Sequence, residues 1–287
     1  MSLCIESFIC FPNIYIKHIQ TKIIRGVQFD DSLFADTRFF ETEATDSKLE
    51  RCIIVESPSI TLQTIVSSMA KKEYRSDSDR LQAYLAKIRK VLKTVGVSIR
   101  FLHNQNIIHG NIHSLCCGKF ENGWKLSEFL GIQSIGDQMS TSHMLHSIPP
   151  EYITFQGGKC HVSRKIAASI SLDIWAFGKL MFEVLVGKPL LPHDLSADRK
   201  SDQRFLQSLV NWNQDDLTYV VTEVENSGNG TLAADLISHC LCNRPELRPK
   251  SMDEVLSHSF WTSSSTQRRS INSARKYSST PNQRFEC

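Results

Sequence analysis

The residues best suited to chemistry sit in one short stretch, His109-Gly110-Asn111-Ile112-His113-Ser114-Leu115-Cys116-Cys117. Two imidazoles at i and i+4 with two thiols close behind have the composition of a zinc site, but the spacing fits no closed zinc pattern. A cysteine nucleophile at Cys116 or Cys117 has histidines beside it, yet no carboxylate stands nearby to orient one of them as a base. The plain alternative is a set of satisfied core residues.

The elements around this stretch are legible from periodicity. From Leu81 to Leu102, apolar residues at Leu81, Tyr84, Leu85, Ile88, Val91, Leu92, Val95, Ile99 and Leu102 mark one face of a long helix, with Lys and Arg between them. Ser76-x-x-Asp79 reads as a loose capping box ahead of it. Residues 119–127 read as a tight hairpin in which Asn122-Gly123 takes the two positive-φ positions of a type I′ turn. Asp173 to Val186 is apolar nearly all round, so it must be a buried helix, ended by Gly187 and Pro189. Ser251-x-x-Glu254 opens a last helix towards Trp261. Near the N-terminus, residues 52–57 (Cys-Ile-Ile-Val-Glu-Ser), stopped by Pro58, read as a buried strand, with residues 36–41 as its partner.

Composition narrows the function classes. The chain has 287 residues, 41% hydrophobic and 22% charged, with a formal net charge of +3. Five basic residues (Arg268, Arg269, Arg275, Lys276, Arg284) against Glu286 make residues 262–287 +4, which leaves the body at −1. A body of that charge has no global basic field, so nucleic acid is not expected as a partner, and no segment reaches roughly 18 uncharged apolar residues, so no membrane is expected either. Nine cysteines, an odd number with no repeating framework, suit buried thiols in a reducing compartment, and a cytoplasmic location is expected. The Ser/Thr-rich tail cannot bury enough apolar surface to offset its ordering entropy. Strands gathered at one end and helices at the other give an α+β class.

The order of motifs resembles the protein kinase family over about residues 36–261. Ile107-Ile108-His109-Gly110-Asn111-Ile112-His113 is similar to the catalytic loop after the long helix. Lys125-Leu126-Ser127-Glu128-Phe129-Leu130 is similar to the strand leading into the metal-binding Asp-Phe-Gly. Pro149-Pro150-Glu151 resembles the Ala-Pro-Glu that closes the activation segment. Ser171-Leu172-Asp173-Ile174-Trp175-Ala176-Phe177-Gly178 resembles the start of the central helix. Residues 240–249, ending Arg248-Pro249, resemble the late loop whose Arg pairs with that Glu. The resemblance implies a two-lobed fold: a reduced, strand-bearing N-lobe over 1–57, a helical C-lobe over 58–261 and a disordered basic tail over 262–287. It also implies structural anchors. Glu151 and Arg248 would form a buried ion pair, Asp173 would accept backbone N–H bonds from the catalytic loop, and His109 and Phe129 would stack between the lobes.

The same resemblance implies degraded chemistry. Asn111 holds the place of the catalytic Asp and cannot act as a base near neutral pH. His113 holds the place of the catalytic-loop Lys, and Gly110 that of the Arg that reads a phosphorylated activation loop. Cys116 replaces the Asn of the second magnesium site, and a thiol suits magnesium badly. Glu128 replaces the metal-binding Asp and keeps its charge, and Leu130 replaces the flexible Gly. The first glycine is Gly26, and no G-x-G-x-x-G precedes a plausible third strand. Lys17, 94 residues before Asn111, stands near the family's spacing for a nucleotide-binding Lys; alternatively it is a solvated lysine, with residues 12–25 a helix remnant and 36–57 the fourth and fifth strands.

The expectation is therefore a pseudokinase, acting as a signalling scaffold or regulator through a protein partner. The alternative is a weak or atypical Ser/Thr kinase that uses ATP and Mg2+. Ser140, Thr141, Ser142 and Ser147 in the segment 128–151 are candidate modification sites, and Arg268-Arg269-Ser270 resembles a site for basophilic kinases.

Overall fold

The computed structural model describes residues 27–41, 51–69, 78–139, 147–163, 166–191 and 199–262. Lys17, Ser76, the hydroxyls of 140–142 and the basic tail beyond Thr262 lie outside the described residues. The two apolar runs near the N-terminus form an antiparallel pair, β1 (Thr37–Glu41) and β2 (Arg51–Val55), in register from Thr37 opposite Val55 to Glu41 opposite Arg51. Pro58 follows, since a residue without an N–H cannot continue the ladder. The chain then makes β3 (Ile60–Thr61) and turns straight into α1 (Leu62–Met69).

The long amphipathic pattern is α2 (Ser78–Asn104). Its Leu85, Ile88, Leu92, Val95, Ile99 and Leu102 are buried. After it come β4 (Ile107–Ile108), the hairpin β5 (Cys117–Phe120) and β6 (Gly123–Leu126), then β7 (Gln133–Ser134) and β8 (Gln138–Met139). β3 joins the hairpin as a three-stranded sheet in the order β3-β5-β6, and β4 pairs with β7. The chain before β1 docks here too: Ala35 donates to the Leu126 carbonyl at 3.0 Å and Leu126 donates to that of Leu33 at 2.9 Å.

The turn between β5 and β6 corrects the sequence expectation. Phe120 pairs with Gly123, so the loop residues are Glu121 and Asn122, and neither has a positive φ. Gly123 alone does, at 132°. The two-glycine, positive-φ hairpin turn occurs elsewhere. Gly157 (φ 59°) and Gly158 (φ 75°) join β9 (Ile153–Gln156) to β10 (Lys159–Val162), a hairpin the sequence analysis did not anticipate.

β11 (Ile166–Ala167) pairs back onto β8 and leads into α3 (Ile170–Val186). Nearly all of α3 is buried, as an all-round apolar helix requires, and Gly187 ends it in the left-handed conformation at φ 73°. Against it pack α2, α5 (Gln214–Asn226) and α6 (Thr231–Cys240), while α4 (Arg199–Val210) packs on the β9–β10 hairpin and α7 (Met252–Ser257) on α2. The cap of α7 is half a capping box. The Ser251 hydroxyl accepts from Glu254 N at 3.2 Å, but the Glu254 carboxylate turns to Lys250 N at 2.7 Å. The architecture is α+β, with small sheets on a helical body. Among the described residues no helix is long and apolar enough to cross a membrane.

One ion pair ties distant parts of this body together. The guanidinium of Arg248, 1% exposed, makes two parallel bonds of 2.7 Å to the Glu151 carboxylate. Its Nε donates to the Cys242 carbonyl at 2.8 Å, and its plane lies 4.9 Å over the Trp175 ring. Planar, two-pronged and stacked contact suits Arg and not Lys. Removing one partner leaves the other charge buried, at a cost of about 3–5 kcal/mol. Glu151→Gln is therefore expected to lose stability on that scale in urea unfolding. A loss under about 1 kcal/mol would mean that the pair behaves as a solvated surface contact.

Candidate functional site

The site is built on Asp173, buried in the first turn of α3. Its carboxylate accepts the N–H of His109 and of Gly110, both at 2.8 Å, and lies 3.0 Å from His103 Nε2. Two backbone donors on a single carboxylate fix the peptide planes of the loop that carries Gly110, Asn111 and His113.

His109 is fully buried. Its Nδ1 accepts from Asn111 N at 3.3 Å, which leaves the proton on Nε2 to be donated to the Ser127 carbonyl at 3.1 Å. Burial pushes its pKa below the usual histidine value, against the pull of Asp173. Its ring centroid is 6.0 Å from that of Phe129 with the planes at 53°, a tilted contact rather than the stack expected from sequence. Phe129 in turn meets Phe29 at 5.0 Å and Phe34 at 5.9 Å. The loop and the chain ahead of β1 thus share an aromatic cluster.

Gly110 has φ 71°, and a Cβ on it would lie 2.3 Å from the Gly131 carbonyl oxygen. A Cβ on Gly131 would lie 2.8 Å from the Gly110 carbonyl carbon and 2.8 Å from the His109 oxygen. The two loops therefore touch backbone to backbone, and no Arg side chain fits at 110 while they do.

Asn111 is almost buried and its polar groups face the chain's own atoms. Its Oδ1 accepts from the Ser147 hydroxyl at 3.3 Å, and its Nδ2 lies 3.3 Å from His113 Nε2. Ser147 is 0% exposed, so the structure closes this candidate modification site to any enzyme. Leu115 N donates to His113 Nδ1 at 3.3 Å, which places the proton on Nε2, 3.4 Å from Glu128 Oε2. Glu128 adopts the left-handed conformation at φ 63°, unusual for a non-glycine residue. The His113 hydrogen bond holds its carboxyl below the usual carboxylate value, in spite of partial burial.

Cys116 is fully buried and its thiol donates to the His113 carbonyl at 2.9 Å. Burial and the neighbouring Cys117 push the thiol well above its ordinary pKa, so it is a neutral group. Magnesium asks for hard oxygen ligands in near-octahedral geometry. The places matched to its ligands hold a neutral thiol and a carboxylate bonded to His113, and this donor set does not fit the ion. The zinc reading also fails, because the described residues contain no group of three or more His, Cys, Asp or Glu side chains able to hold a metal. Sequence reasoning missed two members of the site, His103 and Gly131, and gave a third, Ser147, a different role. His103 ends α2 beside Asp173, Gly131 is the mate of Gly110, and Ser147 caps Asn111. Only Gly131 left a signal, as a second glycine three residues beyond Glu128.

Comparison with known proteins agrees with this geometry. The profile of the protein kinase domain matches residues 40–261. A 196-residue stretch is 27% identical to the serine/threonine-protein kinase PLK4 of Aedes aegypti, covering 64% of this chain and 22% of that protein. The matched stretch thus corresponds to about a fifth of the curated relative's length.

The depressed pKa of Glu128 fixes the sign of a pH dependence. A carboxyl whose pKa is lower folded than unfolded contributes stability that is complete above its ordinary value of 4.5 and is lost as the pH falls through the depressed one. The stability gap between the wild-type chain and Glu128→Gln is expected to be present near pH 6 and to close as the pH drops below 4.5. Urea unfolding of both proteins across that range is the measurement. A gap unchanged at acid pH would mean that His113 and Glu128 are not coupled.

Proposed function

Because this chain belongs to the protein kinase family, we propose that it uses the kinase fold without kinase chemistry, as a scaffold or regulator in signalling. The observation that carries the reading is the state of Asn111. Phosphoryl transfer is almost entirely positioning and electrostatics, and the residue at the base position must meet the incoming hydroxyl. Here that position is an amide, which takes no proton near neutral pH. Its acceptor oxygen is already bonded to a hydroxyl of the same chain, Ser147. The neutral, buried Cys116 and the close contact of Gly110 with Gly131 support the same conclusion. A protein whose anchors hold the fold while its reactive positions are filled is suited to binding a protein partner.

A second reading keeps weak Ser/Thr kinase activity with ATP and Mg2+. It is favoured by one feature, the carboxylate of Glu128, which stays ionised at the family's metal position. The curated relative is a serine/threonine kinase, so a Ser or Thr hydroxyl would be the acceptor.

The two readings part on a single substitution. Asn111→Asp restores a carboxylate at the base position but leaves Cys116, the Gly110–Gly131 contact and the Glu128–His113 bond in place. That variant is expected to phosphorylate casein and myelin basic protein no faster than the wild-type chain, followed with radiolabelled ATP. Robust transfer by Asn111→Asp alone would overturn the non-catalytic reading.

A further inference from the structure

We infer that the solvent face of α2 is a docking face for an acidic helical segment of a partner protein. The inference goes beyond the catalytic question and holds whether or not the chain transfers phosphate. α2 carries six basic residues, Arg80, Lys87, Arg89, Lys90, Lys93 and Arg100, against a single acid, Asp79. This charge sits on a body whose remaining residues sum to a net negative value, so it is a local concentration rather than a share of a general excess.

Three of the six, Arg80, Arg89 and Arg100, already have interactions of their own. Arg89 lies 4.7 Å over the Phe260 ring and Arg100 pairs with Asp253 at 3.3 Å. Lys87, Lys90 and Lys93 are exposed, and none of them makes an ion pair with a described residue. They follow one another at intervals of three, so their ammonium groups are spread over about 9 Å of helix axis. Ala83 and Ala86 are exposed on the same side, which leaves room for a second backbone to approach between the long lysines. Like charges on one helix repel each other, and a partner with carboxylates at helical spacing removes that repulsion while gaining ion pairs along the stripe.

Charge and shape favour this occupant over others. A membrane surface would ask for Trp, Phe or Leu exposed beside the lysines, but Ile88, Val91 and Leu92 between them are buried and the exposed apolar neighbours are Ala83 and Ala86. Single-stranded nucleic acid would ask for exposed aromatic rings on which bases stack. The one tyrosine of the helix, Tyr84, is instead committed to the Val184 carbonyl at 2.9 Å.

The test is fluorescence anisotropy with the full chain and a labelled helical peptide about 20 residues long, built from Glu, Ala and Leu with Glu on one face. Binding is expected, weakening as salt rises to about 0.15 M. It should fall at least about tenfold in Lys87→Glu/Lys90→Glu/Lys93→Glu, and in proportion in the milder Lys90→Gln, with melting temperatures unchanged. The tail variant Arg268→Gln/Arg269→Gln/Arg275→Gln should bind as the wild type does. Equal affinity in the triple lysine variant, or a loss confined to the tail variant, would overturn the proposal. So would tighter capture of phosphatidylserine vesicles or of a labelled oligothymidylate through the same three lysines.

Discussion

The rest of the site depends on a single buried carboxylate. Asp173 belongs to the first turn of α3, the most completely buried helix described, and it accepts two backbone N–H groups from the loop ahead of Asn111. Those bonds reach across more than sixty residues of sequence to join helical core to loop. They matter because a loop has no ladder of its own, and its buried N–H groups must find partners elsewhere. With His109 and Gly110 pinned, the neighbouring contacts follow. His109 turns its ring to the Ser127 carbonyl, and Gly110 comes to rest against Gly131. The Arg248–Glu151 pair does similar work from the other side, holding the chain just before β9 to the loop before α7.

This arrangement separates two roles that one set of motifs usually shares. The residues that hold backbone in place are charged, paired and buried. The residues at the reactive positions are neutral or already bonded within the chain: Asn111 to Ser147, Cys116 to the His113 carbonyl, Glu128 to His113. The substitutions are also mutually consistent. A glycine at 110 permits the close approach of Gly131, and that approach leaves no space for an Arg. Single reversions are therefore not equivalent to restoring a working site, because each replaced residue now supports its neighbour's new position.

Much of the fold was legible in the sequence, and the reasons are physical. The spacing of apolar residues in α2 and the all-round apolar character of α3 announce their burial, because helix periodicity maps directly onto one face or all faces. The β1–β2 pair followed from an Ile/Val run before a proline. The turn at 121–122 was misread because Asn-Gly favours positive φ without fixing which residues occupy the loop, and register is set by the pairing of Phe120 with Gly123. The Gly157-Gly158 hairpin went unread although its turn chemistry was plain, since the strands beside it alternate only weakly between apolar and polar. The site was half legible. Residue types at Asn111, Cys116 and Glu128 announced altered chemistry. That Ser147 caps Asn111, and that His113 and Glu128 bond to one another, depends on how loops far apart in sequence fold together.

The central claim is that the reactive positions are filled by the chain's own groups and do not accept magnesium–nucleotide. Thermal melting of the full chain with millimolar ATP, with and without Mg2+, tests it most directly. A ligand that binds only the folded state raises stability by about 2.7 kcal/mol at a hundredfold excess over Kd. The account predicts the same melting temperature without nucleotide, with ATP alone and with ATP and Mg2+. A rise of several degrees that requires Mg2+ would contradict it and would mean that Glu128 leaves His113 to serve a working nucleotide site.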